Sequence, residues 1–369
     1  MDAVVAWLDT TDKNYIKQRN KDFGSSEPYN IHRVGKRDEL RFCLRSLYYN
    51  TPWLRRIYLV TWENQFPDWL DEKVCSEHKP PIIKIKRESL NNGNYIYGSI
   101  AVESVLYKIP DLSDLFLYSN CDMFITKKMV LSDWVDNSGN GKLQTAGSIE
   151  SFEPRPDSWW NSDILSQIEL FLKFFGKPKF DFFCRTHDIT ILSKKAYIDV
   201  FKALPKLLEQ TTMLKGRELA DRITRTLLEF VSVQNGYCKI NETKFPSVYL
   251  NQESDYTNYK LPKDTTLLCT NLNSKILKGD YDEFMRFMVN LFPRPLPGEK
   301  YLNYEDVCYY RYTDCVKGCL NKGILSVDNL KLIPKNTKKN MSARLRLTRK
   351  LNTLKKKQNK NKTKNISGN

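Results

Sequence analysis

Histidine is scarce, with three in 369 residues. The nine cysteines are an odd, scattered set without a Cys-x-x-Cys pair; only Cys308, Cys315 and Cys319 lie close together. A zinc centre built on closely spaced ligands is therefore not expected, and nothing marks a secreted disulfide scaffold. No apolar run reaches the ~18 residues that a membrane span requires. The opening Met1-Asp-Ala-Val-Val-Ala-Trp-Leu-Asp is too short and too acidic for a signal peptide. Internal repeats are absent as well. These absences predict a soluble protein of a reducing, cytoplasmic compartment without a transmembrane segment.

Acidic residues are missing from one region, and this explains the net charge. Between Lys335 and Lys364 there are 13 Lys or Arg and no acid, so nearly all of the +16 lies there and the rest of the chain is close to neutral. A charge run at a terminus is usually solvated, so no specific nucleic-acid partner is expected, although an anionic surface would attract it. Residues 334–369 are read as a basic, Lys- and Asn-rich tail, largely disordered, with Met341 to Leu354 able to form a basic amphipathic helix. The composition suits an AT-rich genome, that of a large DNA virus or a protist, and in the viral case the host cytoplasm or the virion would be the location.

What is present is 41% hydrophobic and 12% aromatic, enough to bury a large core. Leu115 to Phe124 is the most informative stretch. An apolar run of strand length stops at Asn120, Cys121 and Asp122, so a buried strand delivers polar groups to its carboxyl end, where ligands bind in open α/β sheets. A carboxylate there suits a hard divalent cation held against phosphate. The same residues also read as a turn after the strand. Ala3 to Leu8 is a second strand that runs into acids, Asp9 and Asp12, either as part of one shared site or as an Asx turn.

Between these strands the spacing predicts a helix over Asp38 to Tyr49, with Arg41 and Arg45 on one face, strands at Ile57–Thr61 and Ile82–Lys86, and a helix over Ile100 to Lys108 carrying Glu103. That order implies α/β architecture with a largely parallel, Rossmann-like sheet of the nucleotide-sugar transferase type. Further on, helices are expected through Phe175, over Lys194 to Leu208, over Arg217 to Val231 and over Asp280 to Phe292, with a short strand at Thr266 to Thr270. Residues 1–333 are read as one catalytic domain with a helical insertion at about 155–240.

Together these pieces resemble the Stealth family, hexose-1-phosphoryl transferases of microbial capsule synthesis. Asp2-Ala-Val-Val-Ala-Trp-Leu-Asp-Thr-Thr-Asp is similar to its first block, with Thr10 in place of a glycine. Glu39-Leu-Arg-Phe-Cys-Leu-Arg-Ser-Leu, Thr51-Pro-Trp-Leu-Arg-Arg-Ile-Tyr-Leu-Val-Thr, Ser99-Ile-Ala-Val-Glu and Asn120-Cys-Asp-Met-Phe resemble the second block. His187, Arg217 and Asp221 match the looser third block, and Leu268-Cys-Thr-Asn with Phe292-Pro-Arg-Pro-Leu-Pro-Gly-Glu the fourth. Cys121 and Leu272 stand where the family has acids.

The resemblance implies attack by a sugar hydroxyl of a glycan acceptor on the β-phosphate of a nucleotide-sugar donor such as UDP-N-acetylglucosamine, releasing UMP. It implies Mg2+ (or Mn2+) on Asp122 with Glu103 beside it, phosphate contacts from Arg41, Arg45 and Arg217, a role for Asp221, and His187 as general base. Asp9, Asp12, Asn120 and Asn271 are the implied substrate contacts. A metal-dependent glycosyltransferase is the alternative, and so is a non-catalytic relic that binds sugar or nucleotide, which the departures at Cys121 and Leu272 motivate.

Overall fold

The computed structural model describes residues 1–23, 39–149, 159–214, 222–251, 256, 258–271 and 278–300. Met1–Glu299 forms one compact unit. The expected boundary near 333, the basic run, Arg217, Asp221 and Leu272 lie outside the described residues.

The elements follow in the order β1 (Asp2–Ala6), α1 (Lys13–Phe23), α2 (Glu39–Asn50), β2 (Ile57–Thr61), α3 (Glu72–Glu77), β3 (Ile82–Lys86), α4 (Ser99–Val105), β4 (Leu115–Asn120) and β5 (Met123–Ile125). Then come α5 (Leu131–Trp134), β6 (Gly141–Leu143), β7 (Thr145–Ser148), α6 (Trp159–Phe175), β8 (Phe183–Arg185), β9 (Thr190–Ser193), α7 (Lys194–Ala203) and α8 (Pro205–Thr212). The described unit closes with α9 (Arg225–Gln234), β10 (Cys238–Ile240), β11 (Ser247–Asn251), β12 (Leu267–Asn271) and α10 (Lys278–Leu291).

The central sheet runs β3-β2-β1-β4-β9. Its first four strands are parallel. The apolar runs of β1, β2 and β4 are buried on both faces, as parallel strands between helix layers must be. β3 is the edge strand, and its lysines alternate outward and discourage pairing with another chain. The chain steps from β1 to β2 to β3 in one direction, then crosses to the other side of β1 to lay down β4. Strand order reverses at β1 and β4, and a crevice at the carboxyl ends of two such strands is where an open α/β sheet takes its ligand.

The opposite edge is pinned by charge. Asp2 is fully buried there and accepts from Arg55 Nε at 2.9 Å, Arg55 Nη2 at 2.6 Å and the Ser113 amide at 2.8 Å. Burial alone would raise the Asp2 carboxyl; Arg55 and Ser113 outweigh it and hold the carboxyl below its ordinary value.

The stretch expected as a helical insertion does carry α6, α7, α8 and α9, but it also supplies a strand of the main sheet. β9 pairs antiparallel with β4, Leu115 against Ser193 and Tyr118 against Thr190. Four residues of Thr-Ile-Leu-Ser are too few to stand out from their helical surroundings. Two expected helices also differ. Lys194 to Leu208 is broken at Leu204 (φ −134°, ψ 49°), where Pro205 opens α8 in the first-turn position that tolerates its missing N–H. The helix expected from Arg217 begins, within the described residues, only at Arg225, after an extended Thr224 at the N-cap. β12 joins β5 antiparallel and β11 parallel in a second sheet.

Candidate active site

β4 hands its polar end directly to the switch point. Ala6 of β1 lies opposite Asn120, so the residues after each strand emerge side by side. β9 pairs antiparallel with β4, Tyr118 against Thr190, and His187 lies three residues before Thr190. β12 approaches from the other side: Cys269 pairs with Met123, and the Thr270 amide donates to the Asp122 carbonyl at 2.9 Å. Three chain segments thereby converge on Asp122. One ligand atom each of Asp122, His187 and Cys269 lies within 4.8 Å of the other two. His187 is partly exposed and stands edge-on to Tyr249, ring centroids 6.0 Å apart.

The surroundings keep the thiols neutral. Burial first, and then the Asp122 carboxylate, push Cys269 and Cys121 well above an ordinary thiol. Cys43, behind them on α2, is pushed up to about 12 by burial, with Asp122 and Glu39 adding to the rise. Six cysteines among the described residues are free thiols.

Of the other residues singled out by sequence, Asn120 is at the site. The Tyr118 hydroxyl lies 2.7 Å from Asn120 Oδ1 and 3.0 Å from Glu103 Oε1, and can donate to either. Glu103 is not in the group around Asp122. Its charge instead acts on Arg185 and Arg225, and Arg225 Nε lies 3.2 Å from buried Glu229 Oε1. Loss of hydration, and Arg225 next to it, lower Arg185 to about 10.

Asp9 and Asp12 shape the loop after β1. Asp9 Oδ1 accepts from the Thr11 amide at 2.8 Å and hydroxyl at 2.6 Å, which is an Asx turn, while Asp12 Oδ1 caps α1 through the Asn14 amide at 2.7 Å. Gln65 ties the loop to the end of β2. Arg41 and Arg45 do not present forks to the site. Both are buried against Glu299, Arg41 Nη1 at 2.8 Å and Arg45 Nε at 3.0 Å. The side chain of Asn271, at the end of β12, lies outside what is described.

Residues that sequence reading passed over line a cavity of about 380 Å³ that opens beside His187. Arg185, Thr186 and Asp188 flank the histidine in it, with Gln144, Lys244 and Phe245 from the facing segments. Asp188 is buried and accepts from the Ser247 hydroxyl at 2.8 Å. Gln144 and Phe245 carried no spacing signal; Arg185 was legible only as a neighbour of His187.

Residues 33–143 match the Stealth protein conserved region 2. In this region the chain is similar to Stealth proteins. The region includes β4 and ends with β6, so Asp122 falls inside it and His187 beyond it. Outside that region the Stealth likeness extends through named relatives. A capsular polysaccharide phosphotransferase of Neisseria meningitidis serogroup B is 31% identical over 155 residues, 40% of this chain and 40% of that protein. The capsular polysaccharide phosphotransferase SacB of serogroup A is 27% identical over 327 residues, 81% of this chain and 57% of that protein. Among solved structures, the galactosyltransferase LgtC in complex with donor and acceptor sugar analogs matches at a TM-score of 0.41 and 12% identity, over 80% of this chain and 98% of that one. That likeness is too distant to bear on the chemistry. Across these phosphotransferase relatives, the match spans between 14% and 57% of their length.

Proposed function

We propose that this protein transfers a hexose 1-phosphate from a UDP-sugar to a sugar hydroxyl of a glycan, forming a phosphodiester and releasing UMP. The observation that carries this reading is the convergence of Asp122 and His187, 65 residues apart in sequence, with ligand atoms within 4.8 Å at the switch point of the sheet. A carboxylate and an imidazole side by side supply the two things phosphoryl transfer asks of a protein: a place for a charge-neutralising cation and a base for the incoming hydroxyl.

The donor set fits a divalent cation. One carboxylate, completed by substrate phosphate oxygens and water, is a common arrangement for magnesium or manganese, and it leaves the imidazole to the proton. Cys269, neutral and buried, is a bystander in this reading. When bound, the cation neutralises charge on the pyrophosphate oxygens. His187 accepts the proton of the acceptor hydroxyl as its oxygen forms the new bond to the β-phosphorus. The bond from that phosphorus to the bridging oxygen breaks, and UMP leaves with the electron pair. Asn120, held by Tyr118, faces the donor. Arg185, which is not among the arginines expected from sequence, takes the place of Arg41 and Arg45 as the guanidinium at the site in this reading, since it lines the cavity beside His187.

Residues 1–333 act as the catalytic domain in this proposal, and the basic run after Pro334 as a salt-sensitive contact for anionic surfaces. No described helix is long and apolar enough to cross a membrane.

The test is incubation with UDP-sugars, a glycan acceptor and magnesium or manganese, scored for the nucleotide released. UMP is expected. UDP would mean glycosyl transfer, and no product would mean a binding relic. Asp122→Asn is expected to abolish metal-dependent UDP-sugar binding at an unchanged melting temperature, and His187→Ala to lower turnover by about two to four orders of magnitude. Tight zinc binding that requires both His187 and Cys269 would remove the base from this scheme.

A further inference from the structure

We infer that the cavity beside His187 is a monosaccharide subsite, which holds one hexopyranose ring through Gln144, Thr186 and Phe245. The inference rests on the reading that the substrate carries a hexose, and it assigns residues that neither the Stealth blocks nor the acid and histidine pattern picks out.

Size is the first support. At about 380 Å³ the cavity lies near the lower end of the ~300–1,000 Å³ range of small-molecule sites, which suits a single ring. The chemistry of the wall is the second. Gln144 is 4% exposed; its Oε1 accepts from the Phe245 amide at 3.0 Å, while its Nε2 makes no hydrogen bond among the described residues. The Thr186 hydroxyl is likewise buried without a hydrogen bond among the described residues. A buried amide N–H and a buried hydroxyl each lose free energy when left unmatched, and both belong to the wall of one cavity. A pyranose offers donors and acceptors around its rim, and small rotations of these two side chains bring them to it.

The third support is an apolar side to the same space. Phe245 is fixed by an edge-to-face contact with Trp134, centroids 5.3 Å apart, and it lines the cavity with Leu267. Polar groups on one side and an aromatic ring on the other suit a sugar, whose hydroxyls lie around the rim and whose C–H groups face up or down. Lys244 and Arg185 add positive charge at the same wall, where a phosphate attached to the ring would sit.

Two sources can bring a hexose here, the donor's sugar or the acceptor's terminal sugar, and the experiment separates them. The full chain is titrated calorimetrically with UDP, UDP-glucose, UDP-galactose and UDP-N-acetylglucosamine, and in a second arm with the methyl glycosides of the same three sugars. Thr186→Val removes only the hydroxyl, and Gln144→Glu keeps the acceptor for Phe245 while replacing the amide donor; melting curves show that both remain folded. Each variant is expected to weaken hexose binding about two- to tenfold, with UDP affinity unchanged. Weakening confined to the UDP-sugars assigns the donor's ring, and weakening of the methyl glycosides the acceptor's. If the wild type binds no hexose in either arm, or both variants bind as it does, the subsite is overturned. If UDP fails to bind while the methyl glycosides weaken in the variants, the subsite stands and the nucleotide-sugar donor falls.

Discussion

Replacing Glu299 by glutamine is expected to be among the most damaging single changes in the described unit, although it alters one charge far along the chain from the sheet it protects. The Glu299 carboxylate has no solvent exposure and accepts from two guanidiniums that are 2% exposed. Its Oε2 also accepts from Arg45 Nε at 3.0 Å and the Leu296 amide at 2.7 Å, closing the Leu-Pro-Gly-Glu turn over α2. Arg45 Nη1 reaches the Phe292 carbonyl at 2.7 Å, and Arg41 stacks on Trp69 at 4.5 Å. Glutamine keeps the volume and removes the charge, so both cations stay buried without the carboxylate. Breaking a buried pair in this way costs about 3–5 kcal/mol, against about 0–1 for an exposed pair. In a unit of this size that is a loss on the order of 10 °C in melting temperature. Urea denaturation of wild type and Glu299→Gln measures it. A cost below about 1 kcal/mol would refute the reasoning, because it would place the cluster energetically at the surface. A companion variant, Arg41→Lys, separates structure from phosphate binding: stability is expected to fall with UDP-sugar affinity unchanged, and the opposite result would return Arg41 to the substrate.

Two further outcomes follow from the titrating groups. Asp2 has a folded pKa below its unfolded value of about 3.9, so its contribution is complete above that value and is lost as pH falls through the folded one; the urea midpoints of wild type and Asp2→Asn should differ at pH 7 and converge in acid. Cys43, pushed up to about 12, carries almost no thiolate at pH 8, so iodoacetamide is expected to leave it unmodified in the native protein and to modify it after unfolding, as peptide mass spectrometry reports.

The parallel half of the sheet was legible because both faces of its strands are covered: Asp2–Ala6, Ile57–Thr61 and Leu115–Asn120 are apolar runs that end in polar residues, and Glu39–Asn50 has helical spacing. β9 was not, since four residues carry too little pattern and their sheet membership depends on partners 72 to 78 residues earlier in the chain. Asp122 and His187 were chosen separately, one from its place after a strand and one from resemblance, and the β4–β9 register is what joins them. Arg41 and Arg45 show the limit. Spacing four apart says that two guanidiniums share a helix face, and nothing local says that Glu299 arrives to occupy them. Gln144 and Thr186 were invisible for a related reason: an unmatched polar atom is a property of three-dimensional surroundings.

The pairing of β4 with β9 also sets when a chain can act. The first 122 residues contain the whole parallel half of the central sheet and Asp122, but neither His187 nor the β12 segment that completes the site. Under the proposed function, a nascent chain on the ribosome, or a fragment cut between α5 and β8, therefore carries the cation's carboxylate with no base beside it. Closure of a long loop is the gate to chemistry, and its entropic cost falls on assembly of the site rather than on the parallel core that precedes it.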